Sequence, residues 1–303
     1  MRTDVRFDAG GVELAGWLYV PEGNTKPHPL VVMSHGFSAV RRMGLDDYAQ
    51  VFVQAGLACL VYDHRGFAES EGEPRHEIDA WQQIHDMRDA ISYARTLPEI
   101  DGERIGIWGT SYAGSHVIVV GAIDRRVKCV VSQVPLMSGS RTLPRWVPAA
   151  KLAGLRDAFD RDRDAQARGE PPQVVTASPK GSDAATWAEA IDQEGAYPNE
   201  VTLRSMELLT EYEPELYIHR MGPTPFLMIA STQDITTPTE EQLVAYSRAT
   251  EPKRLVLIDG GHYDPYIAKI DEASAAARDW FLEHLTNQKW VVRGVSPTLE
   301  GSH

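Results

Sequence analysis

Residues Arg104–His116 read RIGIWGTSYAGSH, and the fold depends on how that stretch is parsed. A short apolar run (Ile105, Ile107, Trp108) stops at Gly109, a serine follows two residues later, and a new apolar run begins after Ser115. This pattern predicts a buried strand, a tight turn with Ser111 at its apex, and a helix. Gly109, Ala113 and Gly114 are small enough to let strand and helix cross closely, the context that a nucleophile elbow requires. The fifth motif position is Ala113 rather than glycine, a G-x-S-x-A-G variant. A serine at a strand-to-helix turn is more often an N-cap than a nucleophile, so the reading depends on partners elsewhere in the chain.

Those partners have to be sought in a chain of 303 residues, enough for one large α/β domain or one domain with an insertion. Apolar content of 43% and charged content of 24% are ordinary for a globular protein. The net charge of −13 argues against nucleic acid or an anionic membrane surface as partner, since both require clustered Lys and Arg. No apolar run reaches membrane-spanning length, and MRTDVRFDAGGVEL at the start has no apolar h-region of a secretory signal. Cys59 and Cys129 lie in strand-like apolar runs and read as reduced core thiols, which with the missing signal gives a cytoplasmic expectation. The final LEGSH reads as a cloning remnant at the end of a tail over 288–303.

Outward from the elbow, apolar runs alternate with helical periodicity. A hairpin is expected around Ala9-Gly10-Gly11, strands over Leu30–Met33 and Leu57–Tyr62, helices over Leu45–Gly56 and Ile78–Leu97, and a further strand over Val127–Val131. The strands are continuously apolar, so both sheet faces are covered and the sheet is largely parallel. From about Pro135 to Gly222 the alternation stops and no strand is evident. Helical patterns occur near Val147–Arg168, Ala184–Gly195 and Glu200–Tyr212 around a Pro/Gly/Ser-rich loop. The βα rhythm resumes with strands over Pro225–Ala230 and Leu255–Ile258 and helices over Thr239–Arg248 and Ala273–His284. The expected organisation is a core of 1–134 and 223–287 interrupted by a helical cap over 135–222.

An acyl-transfer serine needs a base, a carboxylate to orient the base, and donors for the oxyanion. In a parallel sheet these groups belong just beyond the carboxyl ends of strands. Asp234 follows the run PFLMIA and His262 follows LVLI, each by four residues. The order Ser111, Asp234, His262 is that of an α/β hydrolase and not of the other serine-triad folds. Asp259 and Asp264 are rival acids, read here as a turn residue and a loop cap. The backbone N–H groups of Tyr112, next after the serine, and of Phe37, in the loop after the third strand, are the expected oxyanion donors. His35 reads as a brace for that loop, and Asp63-His64-Arg65-Gly66 as a loop held by an Asp/Arg pair. The remaining histidines have no metal-ligand spacing, and no H-E-x-x-H, G-x-G-x-x-G or Walker sequence is present, so neither metal nor cofactor is expected. Of the apolar cap residues, Trp146, Phe159, Trp187, Tyr197 and Met206 are expected to face the serine.

HGFSAV, MGLDDYAQVF, DHRGF with the following GEPR, DMRDAISYARTLP, RIGIWGTSYAG and VVSQVPLMSG together resemble the fungal polyketide transferase group of α/β hydrolases. That group is similar in turn to Xaa-Pro dipeptidyl-peptidase-like and dienelactone-hydrolase-like enzymes. The resemblance covers Leu30 to about Gly139 strongly and the Asp/His part more loosely. It implies an α/β-hydrolase fold with a mostly parallel eight-stranded sheet, helices on both faces and a helical cap. It also implies Ser111 as nucleophile, Asp234 and His262 as its partners, and an oxyanion donor at Phe37. The family contains ester hydrolases and acyltransferases, so the acceptor stays open. The expectation is a serine hydrolase of a small-molecule ester or related acyl bond. Its rivals are an acyltransferase delivering to an alcohol or amine, and a non-catalytic ligand-binding protein on the same fold. Association as a homodimer is left open.

Overall fold

The structure, a computed structural model, describes residues 1–23, 27–192 and 194–286; the C-terminal tail foreseen over 288–303 lies outside the described residues. Its centre is a sheet of eight strands in the order β1-β2-β4-β3-β5-β6-β9-β10. β1 (Arg2–Asp8) and β2 (Glu13–Tyr19) form the expected hairpin, and β2 also runs antiparallel to β4 (Ala58–Tyr62). The other pairings, among β4, β3 (His28–Ser34), β5 (Ile100–Thr110), β6 (Val127–Gln133), β9 (Phe226–Ser231) and β10 (Lys253–Ile258), are parallel.

The continuous apolar runs have the predicted cause. On β3, Leu30 and Val32 enter one core cluster while Val31 and Met33 enter the other, because successive side chains of a strand point to opposite faces. The first face is covered by α2 (Ala80–Ala94) and α3 (Tyr112–Ile123), through residues such as Ile84, Met87, Val117 and Val120. The second is covered by α1 (Leu45–Gln54) and α10 (Ile270–Leu285), through Tyr48, Phe52, Trp280 and Phe281. α9 (Thr239–Ser247) joins β9 to β10. α3 is buried from Tyr112 to Ala122, so no exposed polar face gives it an amphipathic stripe.

Between β6 and β9 the chain leaves the sheet. After α4 (Gly139–Trp146), the single helical stretch expected near Val147–Arg168 is instead α5 (Ala149–Leu152) and α6 (Leu155–Ala167). The breaks fall at Pro148, which fixes φ and lacks an N–H, and at Gly154. α7 (Asp183–Ile191) and α8 (Leu203–Thr210) follow. The expectation that this region lacks strands is corrected. β7 (Val174–Thr176) and β8 (Glu200–Thr202) pair as an antiparallel ribbon, each three residues long and too short to show alternation. Thr202 ends β8 and caps α8, its Oγ1 accepting the Ser205 N–H at 3.2 Å. Among the described residues no helix is long and apolar enough to cross a membrane.

Candidate active site

Whether Ser111 is a cap or a candidate nucleophile is decided by where its side chain points. It occupies the N-cap position of α3 at φ 55° and ψ −117°, yet makes no capping hydrogen bond. Its Oγ lies 3.0 Å from His262 Nε2. A non-glycine residue at positive φ is strained by about 1–3 kcal/mol and persists only when its surroundings over-determine it. Here the Ser111 N–H donates to Gln133 O at 2.9 Å. The turn also needs Gly109, since a Cβ there would sit 2.2 Å from Ala113 O.

The foreseen partners arrive from the two strands at the sheet's far edge. His262, in the loop after β10, donates from Nδ1 to Asp234 Oδ2 at 2.8 Å, leaving Nε2 as acceptor for the serine hydroxyl. Asp234, in the loop after β9, accepts the backbone N–H groups of Thr236 (2.9 Å) and Thr237 (2.8 Å) on Oδ1. Its Oδ2 also faces Gln242 Nε2 at 3.2 Å and the Thr237 hydroxyl at 2.9 Å. Burial, the largest single influence, pushes this carboxyl up, but His262 and the Thr237 donors together outweigh it and hold the net value below the ordinary range. Asp234 is therefore a fixed anion facing the imidazole. The rival acids have the structural parts expected of them: Asp259 accepts from Thr232 Oγ1 (3.1 Å), and Asp264 accepts the Gly261 N–H (2.6 Å).

The loop after β3 packs directly on the serine. A Cβ at Gly36 would lie 3.0 Å from Ser111 Cβ, so a side chain there would crowd the serine. Neither Phe37 N–H nor Tyr112 N–H has an acceptor among the described residues; the latter belongs to the first turn of α3, where N–H groups lack intrahelical partners. The Phe37 ring meets Tyr112 edge-on at 5.3 Å and Trp146 at 5.4 Å. His35 braces the loop: Nδ1 donates to Gly36 O (3.1 Å) and Nε2 accepts the His64 N–H (3.3 Å). Burial pushes His35 down to about 4, so the ring is neutral. The Asp/Arg brace is not the pair expected within Asp63–Gly66. Asp63 pairs with the buried Arg41, whose own N–H also donates to Asp63 Oδ1 at 2.7 Å, whereas Arg65 Nε donates to Asp86 at 2.8 Å. Neighbours in sequence at a strand end point apart, and each finds its partner across the fold.

Above Ser111 and His262 opens a cavity of about 570 Å³ between core and cap. Trp146, Trp187, Tyr197 and Met206 line it, as expected. Phe159 does not: it points from α6 into the hydrophobic core and is 7% exposed. Trp187 stacks on Tyr263 with ring centroids 5.4 Å apart, and Trp146 Nε1 donates to Thr236 O at 3.0 Å, tying the cap to the Asp234 loop. The residue that sequence reasoning missed is Thr237. Its hydroxyl lies 3.1 Å from His262 Nδ1 and donates toward Asp234 or Val134 O. The D-x-T-T spacing signals an Asx-type turn, but nothing in it directs Thr237 at the imidazole.

An eight-stranded, mostly parallel sheet with this loop-borne Ser–His–Asp set defines an α/β hydrolase. Residues 10–264 match the X-Pro dipeptidyl-peptidase (S15 family) profile, and the chain belongs to that family. Among its relatives, the quorum-quenching protein AidA of Acinetobacter baumannii is 33% identical, with 94% of this chain and 96% of the relative covered. A thiohydrolase, aneE, of Aspergillus aculeatus is 30% identical over 97% of this chain and 96% of the relative. The crystal structure of the α/β hydrolase GrgF from a Penicillium species superposes with a TM-score of 0.84 at 26% identity, covering 94% of this chain and 99% of that one. The corresponding relative by sequence, a polyketide transferase, is 29% identical over 94% of this chain and 97% of its own length.

Proposed function

We propose that the protein is a serine hydrolase that cleaves an ester or thioester of a small-molecule acyl group through an acyl-enzyme on Ser111. One observation carries the reading: the unbroken contact series from Ser111 Oγ to His262 (3.0 Å) to Asp234 (2.8 Å), with Ser111 held off its capping role. Ser111 attacks the acyl carbonyl as its proton passes to His262 Nε2. The imidazolium, stabilised by Asp234, then protonates the departing alkoxide or thiolate. Water enters, gives its proton to His262 and attacks the acyl-enzyme; collapse releases the acid and restores the serine. The N–H groups of Phe37 and Tyr112 receive the oxyanion, where one donor typically contributes ~3–4 kcal/mol. Thioesters join the substrate class because a relative is named a thiohydrolase.

The test is turnover of p-nitrophenyl and N-acetylcysteamine acyl substrates, with labelling by a fluorophosphonate. Wild type should turn over and label, and Ser111→Ala should do neither; a labelled or active Ser111→Ala protein refutes the mechanism. Transfer of the acyl group to an alcohol or amine is the second reading, favoured by the apolar aromatic walls around the serine and by the polyketide transferase among the relatives. Adding an alcohol or amine acceptor separates the two: ester or amide product displaces free acid only if transfer outruns hydrolysis.

A further inference from the structure

The cavity wall is apolar around Phe37, Trp146, Leu155 and Met206, and its polar lining, besides Arg145, Lys151 and Asp183, includes a linked set of hydroxyls. There Tyr197 Oη lies 3.0 Å from Ser38 Oγ and 2.6 Å from Ser178 Oγ, and all three residues line the cavity. They come from three separate segments: the loop carrying Phe37, the loop after β7, and the loop before β8. Each is held independently. The Asn199 side chain accepts the Ser178 N–H at 2.8 Å and donates to Ser178 O at 3.2 Å. Asp192 Oδ2 accepts the Tyr197 N–H at 2.9 Å. Ser38 is held at φ 57°, a strained conformation for a residue with a side chain.

Three hydroxyls carry three protons, and the two bonds of the series use two of them. Whichever groups donate, one of the three hydroxyls keeps a proton with no acceptor among the described residues: a terminal serine when the series runs in one direction, Tyr197 when both serines donate to it. Ser38 and Ser178 are 4% and 6% exposed, so an unsatisfied end is costly until a ligand oxygen meets it. Ser38 is two residues along the chain from Gly36, which packs against Ser111, and all three hydroxyls line the same cavity as Ser111.

We propose that the Ser38–Tyr197–Ser178 hydroxyls form a specificity subsite for a keto or hydroxyl oxygen borne on the acyl chain near its reacting carbonyl. The enzyme then selects oxygenated acyl groups over plain alkanoyl groups of equal length. A cavity that hydrogen-bonds a substrate oxygen discriminates against the analogue lacking it far more than packing alone allows. The kinetic side of this proposal rests on the serine chemistry above; the binding side does not.

Two measurements separate them. The first is kcat/KM on N-acetylcysteamine thioesters of octanoate, 3-hydroxyoctanoate and 3-oxooctanoate. Wild type should favour the oxygenated substrates tenfold or more, Tyr197→Phe and Ser38→Ala should bring the ratio to within about twofold of unity, and Ser178→Thr should keep it. The second is calorimetric binding of octanoate and 3-hydroxyoctanoate to Ser111→Ala. The hydroxy acid should bind at least fivefold tighter, and the difference should vanish in Ser111→Ala/Tyr197→Phe. If the three hydroxyls only fasten cap to core, Tyr197→Phe lowers every substrate alike and leaves the ratio unchanged, which overturns the subsite. Equal binding of the two acids to Ser111→Ala overturns it as well. Selective binding without turnover by wild type would keep the subsite and reject the serine mechanism.

Discussion

At Ser111 two demands meet in one residue: a backbone at positive φ and a hydroxyl turned away from the helix it begins. Its partners were legible because apolar runs stop abruptly before Asp234 and His262, and a parallel sheet collects its strand ends in one crevice. Thr237 was illegible because a threonine in a turn has no periodicity to betray its direction. Its hydroxyl touches both the acid and the imidazole, and Thr237→Val leaves Val134 O without its donor. Under the proposed serine mechanism Thr237→Val should lower kcat roughly tenfold or more with KM little changed, since it disturbs a group that orients the imidazole of His262, whereas Thr237→Ser should restore it. An equal rise in KM would point to a pocket defect instead. Asp234→Asn removes the charge that fixes the imidazole tautomer, and kcat should drop on the order of 10⁴-fold, read in the same assay.

At the scale of elements, the β5–α3 crossing and the loop after β3 fix the site. Gly109→Ala pushes a methyl into Ala113 O, where neither strand nor helix backbone has room to yield. The loss should exceed about 3 kcal/mol, measured by urea unfolding, the upper end of ordinary overpacking. The loop after β3 hangs on the Arg41–Asp63 pair, in which both side chains are buried and Arg41 also lies over the Trp17 ring at 4.7 Å. Asp63→Ala leaves the Arg41 guanidinium with Glu69 as its remaining carboxylate and the Arg41 backbone N–H without its acceptor. The change should cost about 1–3 kcal/mol by the same measurement. The sheet and its covering helices could be read from hydrophobic period, which core burial imposes on every strand. The cap could not be read so well. Three-residue strands carry no period, Pro148 and Gly154 break one apparent helix into pieces, and Phe159 shows that an apolar cap residue at helical spacing serves core and cavity equally well.

Across the whole molecule, three buried histidines are packed together beneath the site. The rings of His35 and His64 lie 4.4 Å apart, and those of His64 and His116 6.0 Å apart. His116 is held between Tyr212 Oη and Gln83 Oε1, each at 2.9 Å; Asp63, 3.9 Å from His35, is already paired with Arg41. Burial pushes His35 down to about 4, His116 down to about 3 and His64 well below its ordinary value. An unfolded histidine titrates near 6.5, so the unfolded chain binds more protons throughout the window below that pH. Stability is thus complete above about pH 6.5 and falls as the pH drops toward 4, by up to about 1.4 kcal/mol per unit for each histidine. Urea midpoints taken from pH 7 to 4 should show this decline, and His116→Gln should flatten the slope by about one proton. An unchanged slope would mean that His116 does not titrate on unfolding.

The cap interrupts the sheet in sequence as well as in space, and this sets the order in which the site comes into being. Ser111 and His262 are separated by 151 residues. At roughly 5–20 residues per second, a ribosome delivers the base about 8–30 s after the serine. During that interval β6 waits for β9 as its sheet neighbour, since every residue of the insertion must be made first. The elbow can form early from β5 and α3, but a nascent chain bearing it has neither His262 nor Asp234 beside Ser111. Under the mechanism proposed above, the serine gains its base only once the last parallel strands have joined the sheet, so synthesis itself would keep an unfinished chain silent.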